Sequence, residues 1–121
     1  MKIHNFKELK VWQKSMELSV QIYKLTSFFP KDERFGLISQ VQRAAVSIPS
    51  NIAEGCGRIS NKELSRFIAI AMGSCYELET QMILANRFEY IKEENQGECF
   101  ALIAEVQKML YGFYNSLNVG S

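Results

Sequence analysis

The chain has 121 residues, of which 47% are apolar and 22% charged, and it carries a formal net charge of +1. That is the size of one domain and an ordinary globular composition, which excludes an intrinsically disordered chain. No uncharged apolar run reaches the ~18 residues of a membrane-spanning helix, and residues 1–14 mix charge with apolar side chains instead of forming a secretory signal.

Four helical segments are expected in chain order, at about 6–28, 33–57, 61–87 and 93–117, as an antiparallel up-down four-helix bundle of the all-α class. Only two prolines and seven glycines interrupt the chain, which favours a few long elements. The first helix is expected to end before Pro30, because the residue preceding proline resists helical geometry. It carries two apolar stripes. Leu9, Trp12, Met16, Val20 and Tyr23 follow the i, i+3, i+4 rule of a core face. Val11, Leu18, Ile22 and Leu25 lie on another side and are expected to meet a second partner surface.

The second helix is expected to open after Asp32 as N-cap and to end at Gly55 and Gly57. Its core face is Leu37, Ile38, Val41, Ala45, Ile48 and Ile52, opposed by a polar stripe of Gln40, Arg43, Ser47, Asn51, Glu54 and Arg58. Pro49 lies inside it. Interior proline removes a backbone hydrogen bond and costs about 3 kcal/mol uncompensated, so a kink is expected near 45–49, with Ser47 positioned to help satisfy the freed carbonyls.

The third helix begins with the capping box Ser60-Asn61-Lys62-Glu63. From Phe67 to Tyr76 it carries no charge. Leu64, Phe67, Ile68, Ala71, Cys75, Leu78 and Met82 form one face, and Ala69, Met72, Tyr76 and Ile83 another. A helix apolar around most of its circumference is buried around most of it, which again points to self-assembly. The fourth helix places Glu93, Glu94 and Glu98 at its positive end and aligns Leu102, Ile103, Val106, Met109, Leu110, Phe113 and Leu117.

Catalytic chemistry has little to draw on. His4 is the sole histidine and lies at the terminus, so neither a Ser-His-Asp triad nor the Glu-x-x-His motif of di-iron bundles can be assembled. No Cys-x-x-Cys and no phosphate-binding Gly-x-x-x-x-Gly-Lys motif occurs. Cys56, Cys75 and Cys99 are odd in number and widely spaced, which suits small packed side chains in a reducing, cytoplasmic setting. No enzyme activity, metal or cofactor is expected. Arg43, Ser47, Asn51, Glu54 and Glu77 are expected to form a structural polar network, because a carboxylate among apolar neighbours needs a partner.

Charge is uneven: residues 1–31 hold six lysines against Glu8 and Glu17, a balance of +4, on an otherwise neutral-to-acidic body. A basic element attracts phosphate backbones. Lys7, Lys10, Lys14 and Lys24, with Arg43 and Arg58 as further candidates, are the candidate contacts to structured RNA or a ribonucleoprotein. The alternative is a scaffold with no nucleic-acid role, in which these lysines are a solvated face.

The run Gln40 to Gly55, QVQRAAVSIPSNIAEG, resembles the four-helix bundle proteins encoded by intervening sequences in bacterial 23S ribosomal RNA genes. Similarity continues at Phe6 to Trp12, Phe29 to Glu33, Phe35 to Leu37, Ile70 to Ser74 and Glu77 to Glu79, covering about residues 5–117. The resemblance implies a left-handed antiparallel bundle that assembles as a homopentamer with a central channel. The chain also resembles in fold the accessory proteins of diversity-generating retroelements, which partner a reverse transcriptase and RNA and are strongly basic where this chain is +1. In such an assembly Val11, Leu18, Ile22, Met72 and Tyr76 would form the oligomer interface.

Overall fold

The computed structural model describes residues 5–118. Its long elements are α1 (Lys10–Thr26), α2 (Leu37–Cys56), α3 (Asn61–Arg87) and α4 (Glu93–Asn118), with 3-10 turns at Phe6–Glu8 and Lys31–Glu33. Among the described residues there is no strand. α1 packs on α2 and α4, and α3 packs on α2 and α4, while α1 and α3 lie diagonally apart, as do α2 and α4. This closed square of sequential neighbours is an up-down four-helix bundle.

The N-terminal segment is not one helix from residue 6. Asn5 Oδ1 accepts from the Lys7 amide at 3.2 Å and caps a single 3-10 turn, and α1 starts only after Leu9, which is extended. α1 also buries the opposite stripe from the one expected. Val11, Leu18, Ile22 and Leu25 are buried with Ser15, whereas Met16, Val20 and Tyr23 are 40–54% exposed. Val11, Leu18 and Ile22 are therefore core residues of the protomer and are not available to a second copy. Both stripes satisfy the same spacing. Val11, Leu18 and Ile22 put compact aliphatics in the interior, and Ser15 Oγ can be buried because it donates to Trp12 O at 2.8 Å.

α2 begins later than expected. Asp32 lies in the 3-10 turn, Gly36 precedes the helix, and Glu33 Oε1 accepts from the Leu37 amide at 3.3 Å in place of an Asp32 cap. The carbonyl left without its helical donor by Pro49 is that of Ala45, four residues earlier. It accepts from Ser19 Oγ of α1 at 3.0 Å, so the compensation comes from the neighbouring helix and not from Ser47. Gly55 lies inside α2 instead of ending it: a Cβ there would come within 2.8 Å of Phe67 Cβ and 2.9 Å of Leu64 Cδ1. Glycine is required for this approach of α2 to α3.

α3 starts as its capping motif requires, with Ser60 Oγ accepting from the Glu63 amide at 3.1 Å. It ends in a Schellman arrangement, with the Tyr90 amide on Ala85 O and the Glu89 amide on Asn86 O, both at 2.9 Å. Glu89 takes the left-handed position at φ 63° that glycine normally fills. The core is one continuous cluster that includes Leu18, Ile22, Ile48, Ile52, Ile68, Leu78, Met82, Ile103 and Leu110, all fully buried. Removing a Leu or Ile side chain of this kind from water contributes about 1.5–3 kcal/mol.

Candidate interaction surfaces

The polar stripe of α2 is only partly a network. Ser47 Oγ and Ser74 Oγ of α3 are 2.8 Å apart, and Asn51 Nδ2 donates to Ser47 O at 2.7 Å and to Ser47 Oγ at 2.9 Å. This is a small hydroxyl–amide cluster at the α2–α3 seam. Glu54 instead pairs along its own helix, with Arg58 at 2.8 Å. Arg43 and Glu77 are exposed, and among the described residues neither forms an ion pair or a side-chain hydrogen bond. The expected five-residue network therefore reduces to Ser47 and Asn51, with Ser74 as the partner that periodicity did not single out. The uncharged face that made Glu77 look enclosed turns inward, while Glu77 itself turns out.

The six candidate cations do not share a surface. Lys7 lies in the first 3-10 turn with its Nζ 5.9 Å from the Phe6 ring centre. Lys14 lies between α1 and α4, 3.2 Å from Glu105 and 3.8 Å from Glu17. The hydrogen bond and charge of Glu105, then the charge of Glu17, hold its ammonium above the usual lysine range. Lys24 borders the α1–α4 groove, which Glu17 and Glu98 also line. Arg43 stands on α2 beside Tyr23, and Arg58 at the far end of α2 stacks 4.7 Å from the Phe67 ring. Among the described residues, Lys14 and Arg58 are the cations engaged in ion pairs.

A different basic surface emerges where the end of α1 meets the start of α2. Three adjoining depressions share Tyr23, the largest about 760 Å³. Lys24, Lys31, Arg34 and Arg43 line them, and no acidic side chain does. Tyr23 is 49% exposed and Phe35 89% exposed, with the Arg34 guanidinium 5.4 Å from the Phe35 ring centre. Neither acid of the intervening turn, Asp32 or Glu33, lines these depressions. Glu33 Oε2 accepts from the Tyr90 hydroxyl at 2.9 Å. That bond, burial, and the charges of Glu33 and Asp32 raise the Tyr90 pKa. Phe35 and Arg34 escape a reading by periodicity because they sit in a turn; the Arg-Phe-Gly step before α2 is the one local signal.

Two apolar stripes face outward. One is Met16 and Val20 of α1. The other is Ile70, Tyr76, Ile83 and Leu84 of α3, 40–53% exposed, with Met72 half-buried beside them. Tyr76 and Met72 were expected on such a surface; Met16, Val20, Ile70 and Leu84 were not.

The cysteines are packed, not poised. Burial pushes the Cys75 thiol up to about 12, with Glu79 adding to it, and the Cys99 thiol up to about 11, with Glu98 adding. Burial also raises Cys56. Thiols held neutral in this way are weak nucleophiles at neutral pH. Among the described residues no group of three His, Cys, Asp or Glu could hold a metal ion, and no helix is long and apolar enough to cross a membrane. His4 lies outside the described residues.

No curated protein matches the chain. Among solved structures, a protein with unknown function from the S23 ribosomal protein family of Bacteroides thetaiotaomicron is similar, at 28% identity and a TM-score of 0.79, over 86% of this chain and 97% of that one. The sequence profile of the 23S rRNA-intervening sequence proteins matches residues 7–112, nearly the whole bundle, and the chain belongs to that family.

Proposed function

We propose that the protein is a non-enzymatic bundle that works as a homo-oligomer and contacts RNA or a ribonucleoprotein. The observation that carries self-assembly is the pair of outward apolar stripes on α1 and α3, helices at opposite corners of the bundle. Contiguous exposed apolar surface on a folded domain marks an interface. Two unlike surfaces on opposite corners suit a head-to-tail contact, which closes into a ring when its rotation permits. Five copies is the number the family resemblance implies.

Light scattering coupled to size exclusion, with absorbance at 260 and 280 nm, tests this reading. A mass of several 13.9 kDa protomers is expected, falling to one in a Tyr76→Glu, Ile83→Glu variant that remains helical. A monomeric native protein would overturn it.

Support for the RNA contact is the +4 balance of residues 1–31 and the exposure of Lys7, Lys10 and Lys24 without ion pairs among the described residues. The triple change Lys7→Glu, Lys10→Glu, Lys14→Glu should abolish RNA retention and preserve the oligomer if the first helix is the contact. The alternative, a scaffold with no nucleic-acid role, is favoured by the near-neutral total charge and by the pairing of Lys14 with Glu105. A 260 nm signal in the assembled peak separates the two.

A further inference from the structure

We infer that the groove between the end of α1 and the start of α2 is a binding site for single-stranded nucleic acid, with Phe35 and Tyr23 as stacking platforms and Lys24, Lys31, Arg34 and Arg43 as phosphate contacts. This rests on the RNA-contact reading for the class of polymer, but it moves the site away from Lys7, Lys10 and Lys14, and it does not depend on self-assembly.

The charge pattern is the first argument. Four cations line three adjoining depressions that share Tyr23, with no carboxylate among their walls. Several other basic residues have acidic neighbours: Lys14 has Glu17 and Glu105, Arg58 has Glu54, and Arg66 lines the α3 depression with Glu63, while Lys24 also borders the α1–α4 groove with Glu17 and Glu98. Asp32 and Glu33, the nearest acids in sequence, act on Tyr90, and the Glu33 carboxylate is anchored there by the Tyr90 hydroxyl and the Leu37 amide. A groove of one sign favours an anionic polymer.

The aromatic content chooses among such polymers. Phe35 is 89% exposed, an extreme value for a side chain whose burial would be favourable. Arg34 covers part of its ring and the remainder is open to solvent. Tyr23, Ile38 and Val46 line the same depression. Phosphates need only the cations; an acidic peptide would leave the open ring unused. Unstacked bases on a sugar–phosphate backbone use both, and a duplex conceals its base faces. The lysines chosen by sequence at the other end of α1 lie roughly 20 Å away along the helix axis, since Lys10 and Tyr23 are thirteen residues apart.

The test is fluorescence anisotropy with the full chain and a labelled single-stranded RNA of roughly 12 nucleotides, at salt rising from about 50 to about 200 mM. Binding should weaken steeply with salt. Arg34→Glu with Arg43→Glu should weaken it by at least tenfold and flatten the salt slope, and Phe35→Ala should weaken it roughly tenfold with the slope unchanged. All three residues stand off the apolar stripes, so light scattering on each variant should give the native mass. Lys7→Glu with Lys10→Glu should change affinity less than twofold. Loss in that variant with the groove variants unaffected would overturn the groove and leave the first-helix reading standing. No binding at low salt would overturn both. Equal affinity for a duplex of the same length, or equal competition by polyglutamate, would overturn the assignment to single strands.

Discussion

The α2–α3 seam and the α1–α4 seam are built from opposite materials. α2 and α3 make the most extensive helix contact in the bundle and α1 and α4 the least. At the first, Gly55 has no room for a Cβ against Phe67, and two serine hydroxyls meet directly at 2.8 Å. At the second, Lys14 reaches Glu105, and Glu17, Gln21, Lys24, Asn95 and Glu98 line an open groove of about 540 Å³. Gln21 Oε1 is buried there with no hydrogen-bond partner among the described residues. Small side chains let two helices interdigitate and exclude water, whereas long charged ones hold a channel for it. The bundle therefore has one seam closed by shape and one left open by chemistry, while a single core spans both.

The largest effect tests that shared core. Leu18→Ala removes a fully buried side chain of α1 and should cost about 2–5 kcal/mol in urea unfolding, whereas Val20→Ala, on the exposed stripe, should stay within about 0.5 kcal/mol. Similar losses from both would place the core of α1 elsewhere. Gly55→Ala should cost about 1–3 kcal/mol by overpacking the tight seam, and a neutral result would show that Phe67 and Leu64 yield more easily than their packing suggests.

Alkaline pH probes the α3–α4 side of the same core. Cys75 is held up to about 12 against an ordinary 9.0. A raised folded value favours the neutral thiol, so its contribution is fully present below pH 9 and is lost as pH rises toward about 12. Cys75→Ala should flatten the fall in stability above pH 9; an unchanged profile would mean another group drives it.

Smaller effects follow at the α1 seams. Ser19→Ala leaves the Ala45 carbonyl without the donor that replaces Pro49 and should cost about 1 kcal/mol, with Ser19→Thr retaining part of it. Lys14→Ala breaks an exposed pair and should cost less than about 1 kcal/mol, fading further at high salt. A larger loss would mean the open seam is closed more firmly than its geometry indicates.

Much of this was legible in residues alone. The Ser60 cap set the start of α3, its expected core face is buried at Leu64, Ile68, Ala71, Cys75, Leu78 and Met82 while Phe67 is only half-buried under Arg58, and Tyr76 is on an outward face. The α1 stripes were exchanged because both obey helical period, and period reports a face without its direction. The α2 start slipped because Asp32 is a good cap in isolation, while Glu33 reaches Leu37 and Tyr90 only in the folded chain. Charge counted along the chain gathers Lys7, Lys10, Lys14 and Lys24 with Arg43 and Arg58; of these, Lys24 and Arg43 line the depressions at the α1–α2 junction, where folding brings Lys31 and Arg34 to join them.

By itself the sequence determined four helices, their order and a bundle, because apolar period, caps and breakers are local properties that survive without neighbours. Tertiary structure decided which stripe of α1 turned inward, which hydroxyl answered Pro49, and which cations kept company with acids. Those outcomes depend on what stands across a seam, and two residues far apart in the chain acquire that relation only when the helices pack.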